Sequence, residues 1–326
     1  MIRAKQTASG ARAPGVRATR SVTGKATASM IQIAGIIGVF VAIFGGYLIA
    51  GGHLAVILGA LGPELLIIGG SGVMTMFIAN DGAGVAKVLK SLAKVFQGSR
   101  WKRVDYSDLL SLLYLLLRTH QKEGAAKLEK HIEKPENSPI FSRYPRIARD
   151  PAVAGLVCDT MRTITLNNKD PHLVGEMMEA TIEKRAAEDI KPAKVLQTVA
   201  DAFPALGIVA AVLGIIKALG AISESPEVLG HMIGSALVGT FLGVFLSYGL
   251  VGPMAARLKG IFEEERRMLD VARAVITSYL QNLSPQICVE VGRQSVPTKL
   301  QPSFDQMEEQ LRDAGRVKTE AEGGGE

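Results

Sequence analysis

Apolar residues are concentrated in four long stretches of the chain. Residues 31–50 contain no charged residue, and residues 55–80 contain one, Glu64. Residues 202–222 are interrupted by Lys217, and residues 229–254 contain no Asp, Glu, Lys or Arg. Because a helix rises 1.5 Å per residue, each stretch can cross about 30 Å of hydrocarbon. The pattern predicts four transmembrane helices.

The four spans pair into two hairpins, because only residues 51–54 separate the first two and residues 223–227 the last two. We therefore expect a first hairpin at 30–80, a cytoplasmic loop at 81–199 and a second, channel-lining hairpin at 200–254. Residues 255–326 are expected to continue the fourth span as a cytoplasmic helix and to end in a disordered tail.

The loop between the hairpins has a helical pattern. Apolar residues recur every three or four positions, which predicts a helix over residues 106–133 with a break at Gly124; these are Leu109, Leu110, Leu113, Leu116 and Leu117. Further helices are predicted from Pro151 and from Pro171. No strand pattern is convincing. The predicted fold class is all-α: a polytopic membrane protein with four transmembrane helices in two hairpins and a large helical cytoplasmic loop.

Basic residues set the expected orientation. Residues 81–199 hold 20 Lys and Arg and residues 255–326 hold 10, whereas the two hairpin turns together with the span ends beside them hold one, Lys217. Since cytoplasmic loops carry the excess of Lys and Arg, the loop and the C-terminus are predicted to face the cytoplasm. With four spans, the N-terminus lies there too.

Residues 1–29 carry six Lys and Arg and no acid, and they show no hydrophobic period. Three interpretations stay open: a disordered basic arm at anionic lipid, a transit-like peptide, or an over-extended start with Met30 as the true first residue. The net charge of +6 equals the charge of this segment. The basic balance therefore gives no indication of a nucleic-acid partner.

The sequence lacks the common signatures of enzyme chemistry. Gly24-Lys25 is not part of a P-loop, the five histidines have no metal-ligand spacing, and no nucleophile elbow is present. The two cysteines suit a reducing compartment. We expect no enzymatic activity, no metal and no cofactor.

Small residues recur every fourth position in the third and fourth spans, which allows helix backbones to approach closely in lipid. They are Ala210, Gly214 and Ala218 in the third span and Ser235, Gly239, Gly243 and Ser247 in the fourth. Two interpretations are open: they pack the spans within one chain, or they line a groove for a partner or channel. Thr240, midway along the fourth span, either serves such a partner or bonds back to the carbonyl of Ala236.

Acidic residues are expected to be absent from the depth of every span, with Glu64 near a span end. If the protein conducts ions, the carrier acid must then come from another polypeptide. Asp201 stands at the predicted cytoplasmic mouth of the third span. Pro204 and Pro253 each remove a backbone hydrogen bond near a cytoplasmic span end, so they are candidate hinges or static kinks.

Four segments resemble the MotA family of flagellar motor stator proteins, within the MotA/TolQ/ExbB proton channels. They are FGGYLIAGG (44–52), SRYPRI (142–147), DAFPALGIVAAVLGIIKALG (201–220) and LVGTFLGVFLSYGLVGPMA (237–255). The resemblance implies a bacterial inner-membrane protein that forms a ring, expected to be a pentamer, around a dimer of MotB. In that family the single MotB span supplies the ion-carrying aspartate. It also implies torque on the rotor protein FliG.

The resemblance assigns roles to individual residues. Pro204 and Pro253 match the coupling prolines, Thr240 the hydroxyl near the partner aspartate, and Asp201 the acid at the inner mouth. Rotor-facing charges fall on Glu129 and, since Gln121 replaces the basic residue of the family, on Lys122 or Arg118 as substitutes.

The transported ion is expected to be the proton, because residues 205–216 contain no Ser, Thr, Asn or Asp. Sodium-driven relatives carry a hydroxyl there, as the resemblance implies. Two alternatives remain: an energy-transducing channel of the ExbB/TolQ type, disfavoured by the extra N-terminal hairpin, and a membrane scaffold without ion flux.

Overall fold

The computed structural model describes residues 22–166 and 170–322, and within these ranges the regular elements are all helical. The predicted all-α class is confirmed. The main helices are α1 Val22–Ile49, α2 Leu54–Ala79, α3 Gly82–Gln97, α4 Arg103–Glu123, α5 Ala125–Ile132, α6 Pro145–Ala148, α7 Pro151–Thr165, α8 Pro171–Asp189, α9 Lys191–Gly220, α10 Pro226–Leu280, α11 Pro285–Ser295 and α12 Phe304–Glu322.

Four of these helices contain stretches long and apolar enough to span a membrane, in agreement with the four predicted spans. They are α1, α2, α9 and α10. The last two extend well beyond the membrane: α9 has 30 residues and the composite α10 has 55, which correspond to about 45 Å and about 80 Å of helix. Each therefore joins its span to the polar body without a break.

Two of the spans contain a π-helical segment, at Leu66–Gly70 in α2 and at Phe245–Val251 in α10. Pro63 stands three residues before the first segment, and Pro253 follows the second. Pro253 has no backbone N–H, so the carbonyl of Gly249, four residues earlier and inside the second segment, loses its usual donor where the helix widens. Neither widening was predicted from the sequence.

The polar body has its own hydrophobic core around α4. Seven leucines of this helix are at most 1% exposed: Leu109, Leu110, Leu112, Leu113, Leu115, Leu116 and Leu117. They pack with residues of α5, α7, α10 and α11, including Leu128, Val157 and Val275, and with Phe141 between α5 and α6. The predicted break at Gly124 is present, at a φ of 82°, a value that glycine adopts without strain. The loop is therefore a packed domain that includes the C-terminal half of α10.

Helix α3 is not among the elements predicted from the sequence. Its apolar face meets α9 and α10 at the junction of membrane and polar body, where Val95, Ala193, Leu258 and Phe262 form a small core. Lys94 Nζ lies 2.8 Å from Glu265 Oε2, and Glu265 is 10% exposed. This junction fastens the loop domain to the two long helices.

Both ends of the chain differ from expectation within the described residues. Residues 22–29 extend α1, because adding turns to a formed helix costs less than starting one. The expected disordered tail is instead helical over Phe304–Glu322, where Met307 is 3% exposed and packs with Leu311 against the loop core. Residues 1–21 and 323–326, with the remaining basic arm, lie outside the described residues.

Candidate functional site

Helices α9 and α10 approach each other at backbone distance within their apolar stretches. A Cβ atom built on Gly207 would lie 2.8 Å from the carbonyl oxygen of Gly239, and one built on Gly243 would lie 2.6 Å from that of Phe203. Only glycine fits where two backbones come so close. This helix pair is the centre of the membrane part of the fold.

The other predicted small residues belong to the same contact. A Cβ on Gly214 would lie 2.5 Å from the Cβ of Ala236, and one on Gly239 would lie 3.1 Å from the Cβ of Ala210. Ala210 is 1% exposed. Of the two interpretations, packing within one chain accounts for Ala210, Gly214, Gly239 and Gly243. The expectation that these four face a channel or partner is corrected: their space is filled by the neighbouring helix.

Thr240 follows Gly239 directly and is half-buried. No hydrogen bond joins its hydroxyl to Ala236 or to another residue in the described part of the chain, unlike Thr119 and Thr160, which donate to the carbonyl four residues earlier at 2.8 and 2.7 Å. The expected alternative of a back-bond is therefore not formed. The hydroxyl of Thr240 is available at mid-span.

The outward surface of α9 is apolar and exposed over several turns. Its exposed large side chains are Ile208, Val209, Val212, Leu213, Ile215 and Ile216. An uninterrupted face of this kind requires lipid or another apolar helix beside it.

Glu64 is buried against α10, and not at the end of a span as expected from the sequence. It is 7% exposed, and a Cβ on Gly239 would lie 2.7 Å from its Oε2 atom. Gly239 is 10 residues into the predicted fourth span, and Glu64 is the eleventh residue of α2, about 15 Å along its axis. The expectation of a span-end position is therefore wrong, as is that of no deep carboxylate. A single carboxyl in an apolar run does not reveal its depth until the helices that cover it are placed.

Asp201 and Pro204 lie where α9 leaves the membrane. Asp201 is exposed and accepts a hydrogen bond from Gln197 Nε2 at 2.8 Å. Phe203, between them, is buried against Gly72 of α2, and Pro204 is half-buried. Pro253 is exposed on α10, two residues after the π-helical segment.

The predicted rotor-facing charges lie on α4 and α5. Lys122 is exposed, whereas Arg118 and Glu129 are half-buried. Arg118 is covered by α12, because a Cβ on Gly315 would lie 2.5 Å from its Nη1 atom. Gln121 stands where the family has a basic residue, and of its two proposed substitutes Lys122 has the more exposed charge.

The SRYPRI segment holds the loop domain together. Arg146 Nη1 lies 2.8 Å from Asp105 Oδ1, and Asp105 is fully buried. Arg143 donates to the carbonyl of Ala314 in α12 at 3.2 Å. Burial, followed by the charge of Asp105, raises the pKa of the neighbouring Asp108 to about 6, while Arg146 opposes the rise. The role of this motif is structural in the described chain.

The family models match both halves of the chain. The model "Motility protein A N-terminal" matches residues 33–124, and "MotA/TolQ/ExbB proton channel family" matches residues 150–271. Motility protein A of Salmonella typhimurium is 36% identical over 285 residues, which are 87% of this chain and 95% of that protein. The chain belongs to the motility protein A family.

This is the stator family of the bacterial flagellar motor, a family of multi-pass membrane proteins and proton channels. Solved structures agree on the fold. "Structure of C. jejuni MotAB" matches at a TM-score of 0.64 and 19% identity, covering 82% of this chain and 95% of that one. "Structure of the flagellar MotAB stator complex from Bacillus subtilis" matches at 0.60 and 23%, covering 85% and 97%. The resemblance found in the sequence is confirmed.

Proposed function

We propose that this motility protein A chain, together with a single-span MotB-like partner, conducts protons across the inner membrane and converts their flow into torque on the flagellar rotor. The observation that carries the proposal is the continuity of α9 and α10, which run from mid-membrane into the loop domain. A movement of this pair in the membrane moves the cytoplasmic surface with it.

The partner is argued from the surface of α9. Its exposed apolar side chains fit another transmembrane helix, and the two solved structures it matches are MotAB assemblies by title. We place a MotB dimer inside a ring of this chain, with five copies as the expected number. The carrier aspartate lies on the partner, beside the unbonded hydroxyl of Thr240. The loop and both termini lie on the cytoplasmic side, as the basic residues indicate.

The transported ion is proposed to be the proton. A sodium ion needs several oxygen ligands at fixed distances, and residues 205–216 supply no side-chain oxygen. A proton needs one titratable group and a chain of water molecules.

Coupling is assigned to the two prolines. Pro204 leaves the carbonyl of Ala200 without its helical donor, and the flanking Phe203 packs on α2. Pro253 does the same for Gly249 at the end of the π-helical segment. Proton binding and release near Thr240 would bend α9 and α10 at these points. The loop domain would then press on FliG through Lys122 and Glu129.

The proposal is tested by proton flux into vesicles that contain this chain alone, the partner alone, or both, with the periplasmic plug of the partner deleted. We expect flux only when both chains are present. Flux absent from the complex, together with intact motility in a deletion strain, would overturn the proposal and favour a scaffold. The ExbB/TolQ-type alternative would predict flux without any effect on swimming.

A further inference from the structure

Glu64 is the one acidic side chain of the second span, and the proposed channel and coupling do not involve it. It is 7% exposed, and its Oε2 atom is fully buried without a hydrogen-bond partner among the described residues. Buried polar atoms are almost always paired, so each exception requires an explanation. The carboxyl is aimed at the contact between α9 and α10 around Gly239.

The helix pair makes room for this carboxyl. A Cβ on Gly239 would lie 2.7 Å from Glu64 Oε2, 3.1 Å from the Cβ of Ala210 and 3.2 Å from the backbone N of Ala211. A side chain at position 239 would therefore clash with the carboxyl of Glu64 on α2 as well as with α9. Thr240 is the next residue of α10 and lies about 100° further around the helix axis. The carboxyl therefore lies at the same level of α10 as the hydroxyl proposed to face the partner.

No cation neutralises Glu64 among the described residues. The titratable side chains nearest to this level on the packed helices are Lys217 on α9 and His231 on α10, seven residues from Ala210 and eight from Gly239. These spacings correspond to about 10 Å or more along each helix. Asp201 lies nine residues away on α9, toward the cytoplasm. A charge at the bilayer centre costs about 3 kcal/mol or more without a partner.

The regular helix is also interrupted on both sides of Glu64, which allows α2 to bend there. Pro63 precedes it and leaves the carbonyl of Gly59 without its helical donor, and the π-helical segment Leu66–Gly70 begins two residues later. Interrupted helices at membrane depth are found where ions bind or where a helix bends. Here a buried carboxyl stands between the two interruptions.

We propose that Glu64 is a proton-binding site of this chain, separate from the carrier acid of the partner. While α2 packs on α9 and α10, the carboxyl holds its proton. When the pair moves, the O–H bond breaks, the proton passes to water entering the opened gap, and a carboxylate remains until it is protonated again. This inference rests on the proposed proton-driven function.

The experiment compares wild type, Glu64→Gln and Glu227→Gln in complex with the plug-deleted partner. Glutamine keeps the shape of Glu64 but has no titratable proton, and Glu227 is an exposed acid at the outer end of α10. We expect Glu64→Gln to assemble in wild-type amount and to reduce proton flux at least tenfold, with Glu227→Gln within twofold of wild type. Infrared difference spectra at neutral pH should lose one protonated carboxyl in Glu64→Gln alone.

Flux through assembled Glu64→Gln within twofold of wild type overturns the proposal, as does an unchanged infrared carboxyl signal. Gly239→Ala provides a second route, because its Cβ displaces the carboxyl without removing it. We expect it to lower flux at least tenfold as well, and wild-type flux would count against the inference. If wild type shows no partner-dependent flux, the proposed function fails, and the infrared comparison still decides whether Glu64 holds a proton.

Discussion

Gly207 and Gly243 fit each other at backbone distance: a Cβ on Gly207 would lie 3.1 Å from Cα of Gly243, and a Cβ on Gly243 would lie 2.9 Å from Cα of Gly207. Neither position has room for a side chain. The contact also sets the spacing of α9 and α10 one helical turn below Thr240.

Gly243→Ala should therefore destabilise the assembled complex. The added methyl group meets backbone, which cannot move aside as a side chain can, and overpacking of this kind costs about 1–3 kcal/mol. The measurement is the thermal unfolding midpoint in detergent. Gly230→Ala on the same helix is the control, since a Cβ there meets nothing within 4 Å. Equal midpoints for the two variants would contradict the packing.

Glu265 should be needed to hold α3 to α10. Its carboxylate lies 2.8 Å from Lys94 Nζ and accepts from the backbone N–H of Arg100 at 3.3 Å. Glu265→Ala leaves these donors without their acceptor, which should lower the free energy of unfolding by about 1–3 kcal/mol. Chemical denaturation measures this. The control is Glu263→Ala, because the 58% exposed carboxylate of Glu263 has one contact, with Lys259 Nζ at 3.9 Å. If this control lost as much free energy of unfolding as Glu265→Ala, Glu265 would have no special role at the junction.

Asp108 should make the loop domain less stable at neutral pH than at mildly acidic pH. Its folded pKa of about 6 exceeds the ordinary value of about 3.9, so between these values the folded state binds more protons, and stability falls as pH rises. Asp108→Asn removes this dependence. Its unfolding midpoint should exceed that of wild type at pH 7.5, with the difference shrinking toward pH 4. A difference independent of pH would show that the carboxyl does not titrate in this range.

Lys122→Glu should reduce torque without reducing proton flux. Lys122 is exposed on the loop surface, so a reversed charge changes its interaction with the rotor and leaves the fold intact. Rotation speed under viscous load, measured on tethered cells, reports this. Lys184→Glu on α8 is the control for a reversed exposed charge. Loss of torque in the control as large as in Lys122→Glu would exclude a specific role for Lys122.

The four membrane-spanning helices and most loop helices could be predicted from the sequence, because long apolar runs and leucines at helical spacing determine these elements almost alone. Helix α7 begins near the predicted Pro151 and α8 at Pro171. The periodicity predicted which small residues share a helix face, but it could not predict what each of them contacts. Gly239 packs against α9 of the same chain, and the same spacing would also suit a contact between two chains.

Depth and tertiary pairing account for the other differences. Glu64 seemed a span-end residue because its neighbours along the chain include Pro63, whereas its depth depends on how α2 packs against α10. The helix at Phe304–Glu322 is stabilised by Met307 and Leu311 on the loop core, a surface that the local composition of the tail does not reveal.

The most direct test of the central claim is the rotation speed of tethered cells of a deletion strain that express this chain with its MotB-like partner, measured while an uncoupler collapses the proton gradient at constant sodium. We expect the rotation speed to fall in proportion to the proton-motive force and to stay unchanged when sodium is replaced by potassium. Rotation that survives collapse of the proton gradient and stops on removal of sodium would contradict it.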